Sequence, residues 1–129
     1  LAAPKGYEPS RDVLDRAREI AAESGARLGV TTPLEAVADA DVVTTDTWIS
    51  MGQEGEKAQR VEAFAGYTVD SGLMAKAKSQ AVFLHCLPAY RGFEVSAEVI
   101  DGPQSLIWDE AENRIHAQKS ILLWALGLL

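Results

Sequence analysis

Phe83-Leu84-His85-Cys86-Leu87-Pro88 is an apolar run that meets the one cysteine of the chain, with a histidine before it and a proline two residues on. Ala81 to Cys86 reads as a strand, and Pro88 restricts Leu87 to extended geometry, leaving its carbonyl outside any ladder. In an α/β protein, ligands gather at the carboxyl ends of strands, so a thiol at this strand end marks a candidate site. Alone the signal is weak, because a buried cysteine is more often a small core hydrophobe. Neighbours on a strand point to opposite faces, so His85 and Cys86 do not form a protease-like dyad with each other. His116 is the only other imidazole, and three Cys or His residues fall short of the four that a structural zinc takes.

Working outward, helix-like and strand-like segments alternate, the pattern of a parallel sheet wrapped by helices. Leu1-Ala2-Ala3 reads as a strand end. Ser10 can cap a helix whose residues Val13, Leu14, Ala17, Ile20 and Ala21 share a face, with Ser24-Gly25 as its end. Arg27 to Val30 reads as a short strand, and Thr32-Pro33 as the start of a brief helix. Asp41 to Asp46 is a β-branched strand expected at the centre of the sheet. A loop runs through Gly55, and Glu54 to Phe64 returns to helix with Ala58, Val61 and Phe64 inward, stopped by Gly66. A strand over Tyr67 to Val69 precedes a helix over Asp70 to Ala77. After Ala81 to Cys86 come a short helix beyond Ser96, a strand at Ser105 to Trp108, and a last helix starting near Asp109 to Glu112. From Ile121 to Leu129 this helix is apolar on nearly every side, so it needs cover on every side.

The bulk composition narrows the function classes. A length of 129 residues suits one domain, and 19 acidic against 12 basic residues give a net charge of −7. That balance argues against a nucleic-acid surface. One cysteine forms no internal disulfide, which fits a reducing cytoplasm. The start lacks a secretory signal and a methionine, and the closing apolar run is shorter than the roughly 20 residues a membrane span needs. Both ends are therefore expected to be cuts from a longer protein.

Two further segments carry chemistry. Asp46 ends its strand in a carboxylate suited to a ligand ammonium, and Ser50 and Met51 precede Gly52, where backbone N–H groups and a hydroxyl can meet a ligand carboxylate. These are the parts needed to hold a free amino acid; the plain alternative is an aspartate capping a turn. Arg114 follows Glu110, Glu112 and Asn113 at the start of the last helix. The acids there complement the helix dipole, whereas an arginine is out of place unless aimed at a ligand or an acid. Glu54, Glu56, Lys57 and Arg60 read as a solvated helix face, and Trp48, Trp108 and Trp124 as core or interface. The glycines lack the spacing of a phosphate loop.

Taken together, DTWISMGQE (Asp46 to Glu54), FLHCLP (Phe83 to Pro88) and EAENR (Glu110 to Arg114) closely resemble the ornithine carbamoyltransferases, in the order and approximate spacing of their carboxy-terminal, ornithine-binding half. The resemblance spans essentially the whole chain, with AAPKGYEP (Ala2 to Pro9) as the loop after the first strand. It implies an α/β, Rossmann-like, three-layer parallel-sheet domain of the aspartate/ornithine carbamoyltransferase type. The SMG motif is its most discriminating part, since the related aspartate enzymes do not bind their amino acid with it.

By that resemblance Asp46 holds the ornithine α-amino group, and Ser50 and Met51 its carboxylate end. Cys86 lies beside the reacting δ-amino group as proton acceptor, while Cys86, Leu87 and Arg114 contact carbamoyl phosphate. The Leu87-Pro88 bond is implied to be cis. The reaction implied gives L-citrulline and phosphate with no metal or organic cofactor. No Ser-Thr-Arg-Thr-Arg-like or His-Pro-x-Gln-like motif occurs, so residues 1–129 are expected to be an ornithine-binding domain without its carbamoyl-phosphate domain and inactive alone. The last helix, about 110–129, is expected to pack on that missing domain, and the full enzyme to be a homotrimer or a multiple of it. Other readings are transfer to another amine, such as putrescine or an acylated ornithine, and a non-catalytic amino-acid-binding module.

Overall fold

The computed structural model describes residues 1–50 and 52–128. Its centre is a parallel pair, β1 (Val42–Thr45) and β2 (Val82–His85), with Val42 opposite Val82 and Thr45 opposite His85. Both strands therefore end together, and the residue after each stands at the same edge. A parallel pair needs a crossover. Here it holds a 3₁₀ turn (Glu54–Glu56) that runs into α3 (Lys57–Ala63), then α4 (Ser71–Met74). On the other side of β2 a single parallel bridge joins Phe83 to Ser105.

Several expected strands shrink to single bridges. Tyr67 to Val69 contributes only Val69, paired with Val95, and Thr31 rather than Arg27 to Val30 pairs with Ala2. Leu28 and Val30 are exposed, and the stretch meets the first residues only where the Leu1 ammonium donates to the Gly29 carbonyl at 2.9 Å and the Thr31 N–H donates to the Leu1 carbonyl at 3.0 Å. Ser105 to Trp108 is not a strand, because the chain has entered α6 (Ile107–Ala125) by Ile107. β1 is not sealed on both faces as a central strand would be: Val43 is buried, but Val42 and Thr44 are exposed.

The helices follow their sequence signals more closely. α1 (Arg11–Ser24) ends at Gly25, whose φ of 75° is the left-handed stop that glycine permits. No residue of α1 is fully buried: of its expected stripe Leu14, Ala17 and Ala21 are half-buried, while Val13 and Ile20 are exposed. α2 (Pro33–Val37) starts with a capping box, in which Thr32 Oγ1 accepts from the Glu35 N–H and the Glu35 carboxylate reaches back to the Thr32 N–H. Asp70 caps α4 through the Leu73 N–H at 2.7 Å. Ser96 precedes α5 (Ala97–Ile100).

The core gathers on one face of β2. Phe83 is fully buried and is packed with Val43, Val69, Met74, Val95, Val99, Ile100 and Ile107. Val61 and Phe64 turn inward as expected, but Ala58 is exposed. In α6, Ile107 alone is buried, and Ile121, Leu122 and Trp124 stand exposed, Trp124 by 73%. No helix among the described residues is long and apolar enough to cross a membrane. The architecture is an α/β, Rossmann-like domain with a short parallel sheet and helices packed on it.

Candidate active site at the paired strand ends

Register places Asp46 and Cys86, 40 residues apart in the chain, side by side beyond β1 and β2. The Cys86 Sγ–H donates to Asp46 Oδ1 at 3.3 Å, and the Thr47 N–H donates to the same oxygen at 2.7 Å. Partial burial pushes the Cys86 thiol above its ordinary value, helped by the hydrogen bond to Asp46 and by the negative charges of Asp46 and Glu110. In this geometry the Cys86 thiol is a hydrogen-bond donor to Asp46.

His85 points the other way, as strand alternation requires, and is buried where Cys86 is exposed. Its Nδ1 accepts the Leu87 N–H at 2.9 Å, so the ring proton sits on Nε2 and faces Glu94 Oε1 at 3.2 Å. Glu94 Oε1 also accepts the Tyr90 N–H at 2.6 Å, whereas Oε2 finds no hydrogen-bond partner among the described residues. Leu87 takes a left-handed φ of 56° instead of the extended geometry expected before a proline, and the Leu87–Pro88 peptide is cis as the resemblance implies. A leucine in that region costs about 1–2 kcal/mol, which its N–H bond to His85 helps offset. The fully buried His85–Glu94 pair thus braces the turn that carries Cys86 and Leu87.

Arg114 lies in α6 one turn beyond Glu110. With Cys86, Leu87 and Pro88 it lines an open cleft of about 500 Å³. A second cleft of about 430 Å³ is lined by Asp46, Cys86, Trp48, Phe64 and Tyr67. Cys86 belongs to both, on the ridge between an acidic recess and one overlooked by a guanidinium. Ser50 is exposed on the loop after β1; its N–H donates to Gln53 Oε1 at 3.3 Å and its carbonyl accepts the Gln53 N–H at 3.0 Å. Met51 lies outside the described residues.

Three contributors escaped sequence reasoning. Glu94 sits between Phe93 and Val95, an acid in an apolar run, and that was its one available signal. Glu110, read as a helix-dipole acid, instead accepts the His85 N–H at 2.8 Å across to β2. Arg60 is half-buried rather than part of a solvated face: it donates to the Trp48 carbonyl at 3.2 Å and lies 5.3 Å from the Tyr7 ring centre. It pins the loop after Asp46 against Trp48, which is buried and stacked on Phe64 as core, whereas Trp108 is exposed.

Residues 1–125 match the family described as Aspartate/ornithine carbamoyltransferase, Asp/Orn binding domain. The chain is 62% identical over 125 residues to the ornithine carbamoyltransferase of Wolinella succinogenes, covering 96% of this chain and 41% of that protein. Among solved structures it resembles the ornithine carbamoyltransferase of Pyrococcus furiosus, with 50% identity, a TM-score of 0.88, and coverage of 95% of this chain and 39% of that one. The anabolic ornithine carbamoyltransferase of Campylobacter jejuni superposes with a TM-score of 0.92 at 40% identity, over 99% of this chain and 43% of that one. The chain thus spans about 40% of the length of the relatives it matches. With motif order, strand-end geometry and fold in agreement along nearly its whole length, this chain belongs to the aspartate/ornithine carbamoyltransferase family and corresponds to its Asp/Orn binding domain.

Proposed function

We propose that this chain supplies the amino-acid half of an ornithine carbamoyltransferase, which moves the carbamoyl group of carbamoyl phosphate to the δ-amine of L-ornithine. The observation that carries the reading is the position of Cys86 on the ridge between the cleft holding Asp46 and the cleft holding Arg114. Two substrates bound on either side of that ridge meet over the thiol.

Asp46 receives the α-amino group, and Ser50 and Met51 receive the α-carboxylate. The δ-amine must shed a proton before it can act as a nucleophile. Its nitrogen attacks the carbonyl carbon, a C–N bond forms, and the C–O bond to phosphate breaks with its electron pair leaving on phosphate. That first proton goes to solvent before attack; Asp46 is engaged by the α-amino group, so the proton still on the attacking nitrogen passes to the departing phosphate. Arg114 neutralises charge growing on the carbonyl and phosphate oxygens, and Cys86 and Leu87 seat the carbamoyl group. This assigns Cys86 to positioning and hydrogen-bond donation.

The apolar end of α6 from Ile121 packs on the part of the enzyme that the relatives carry beyond this span, which also brings the remaining phosphate-binding cations. The chain alone is inactive on this reading. The complete enzyme is a cytoplasmic homotrimer or a multiple of one, which light scattering checks. The test is citrulline formation from ornithine and carbamoyl phosphate, by this chain and by a protein completed to the relatives' length with the missing residues of the Wolinella succinogenes enzyme. Citrulline from the completed protein only, lost in Asp46→Asn, supports the reading. Carbamoylation of putrescine or an acylated ornithine in preference to ornithine would replace the substrate, and citrulline from the 129-residue chain would overturn the half-site.

A further inference from the structure

The hydrogen bonds beside β2 change character at its last residue. The Phe83 N–H donates to the Gln104 carbonyl at 2.8 Å, and the Leu106 N–H donates to the Phe83 carbonyl at 3.0 Å. A parallel ladder continued by one step would give the His85 N–H to the next backbone carbonyl on that neighbour. The neighbour is no longer extended there, because Ile107 already opens α6. The Glu110 carboxylate takes the vacated acceptor position, 2.8 Å from the His85 nitrogen. A side chain from the first turns of the helix thus completes the strand ladder.

We propose that Glu110 is a positioning residue: by accepting the His85 N–H it ties the start of α6 to the end of β2 and so sets the reach of Arg114 over Cys86 and Leu87. Residues four apart on a helix share a face, so the tie at Glu110 and the guanidinium at Arg114 project toward the same strand end. Within this chain burial gives the start of α6 little other anchorage, since Ile107 is its one buried residue among those described. Without the tie, the helix can swing about Ile107 and Arg114 loses its fixed distance to the carbamoyl group. The charge of Glu110 also helps keep the Cys86 thiol protonated. The inference rests on the function proposed above for its kinetic readout, but not for its structural one.

The test uses the completed protein with Glu110→Ala and Glu110→Gln. The glutamine keeps an oxygen able to accept the His85 N–H and loses the charge. Glu110→Ala should raise KM for carbamoyl phosphate about tenfold and lower kcat, with KM for ornithine changed less than about twofold, and Glu110→Gln should restore most of the loss. Amide hydrogen exchange read by NMR should show the His85 N–H protected in the parent and in Glu110→Gln but fast in Glu110→Ala. Parent-like kinetics in Glu110→Ala, an equal rise in both KM values, or no rescue by Glu110→Gln would each overturn the proposal. A completed parent that makes no citrulline overturns the functional reading instead. Hydrogen exchange then decides the tie by itself, and an unprotected His85 amide in the parent sinks it.

Discussion

The thiol of Cys86 donates to the carboxylate of Asp46 across 3.3 Å, joining the residues that follow two parallel strands. Neither residue is near the other in the chain, and neither alone distinguishes a site from a turn. Their contact makes the strand edge an acid–thiol pair. It also pushes the thiol toward its protonated form, partial burial first and the hydrogen bond and negative charge of Asp46 after it.

The reactivity of Cys86 should therefore depend on Asp46. In Asp46→Asn the charge is gone, the thiol titrates closer to its ordinary value, and more thiolate is present at pH 8. Alkylation of Cys86 by iodoacetamide, followed by mass spectrometry across pH, should speed up about threefold or more at pH 8. An unchanged rate would mean that burial alone sets the thiol. The linkage sign follows from the raised value: the folded chain holds its proton after the unfolded chain has lost it. Stability from this group is thus complete below the ordinary thiol value and is lost as pH rises from there through the raised value of the folded chain.

The His85–Glu94 pair should behave as a unit. Replacing His85 with Leu strands a fully buried carboxylate and the Leu87 N–H, which should cost about 3–5 kcal/mol in urea denaturation. Adding Glu94→Leu removes the stranded charge, and the double variant should recover much of that loss even though the Tyr90 N–H is then unpaired. Additive losses in the double-mutant cycle would mean that the two side chains do not stabilise one another.

Gly102 is a position where an alanine should hurt for steric reasons alone. A Cβ there would stand 2.3 Å from the Glu98 carbonyl oxygen, a backbone atom that cannot move aside without opening α5. Gly102→Ala should lower stability by about 1–3 kcal/mol. Gly29→Ala, whose Cβ meets nothing within 4 Å, serves as the matched control and should stay within about 0.5 kcal/mol. Equal midpoints for the two variants would refute the clash.

Arg114 should act on carbamoyl phosphate and not on ornithine. In the completed protein, Arg114→Ala should reduce kcat/KM for carbamoyl phosphate by about 100-fold, and Arg114→Lys should recover only part, because an ammonium lacks the planar fork of a guanidinium. Loss directed at ornithine instead would place the arginine in the wrong half of the site.

Much of this protein was legible in the chain. The β-branched run at Asp41 to Asp46 and the apolar run ending at Cys86 mark both strands, because period and composition act locally. Thr32-Pro33 and Asp70 mark helix starts that form as expected, since a cap needs only its own next three residues. The opposite orientations of His85 and Cys86 follow from strand alternation alone.

Other features depended on partners far along the sequence. Arg27 to Val30 has strand composition but meets the first residues only through Gly29 and Thr31, and Ser105 to Trp108 yields to helix at Ile107, because strand formation requires a second chain segment and propensity cannot supply one. Arg60 looks solvent-bound in a helical pattern, yet packing turns it onto Trp48 and Tyr7. Glu110 reads as a helix-dipole acid and Glu94 draws no reading until the fold sets them against His85. Local signals spanning a few positions were enough for the two paired strands and for the helix caps at Thr32 and Asp70. The tertiary structure alone decided which acids meet the thiol and the imidazole, because parallel register brings together groups whose separation along the chain carries no local signal.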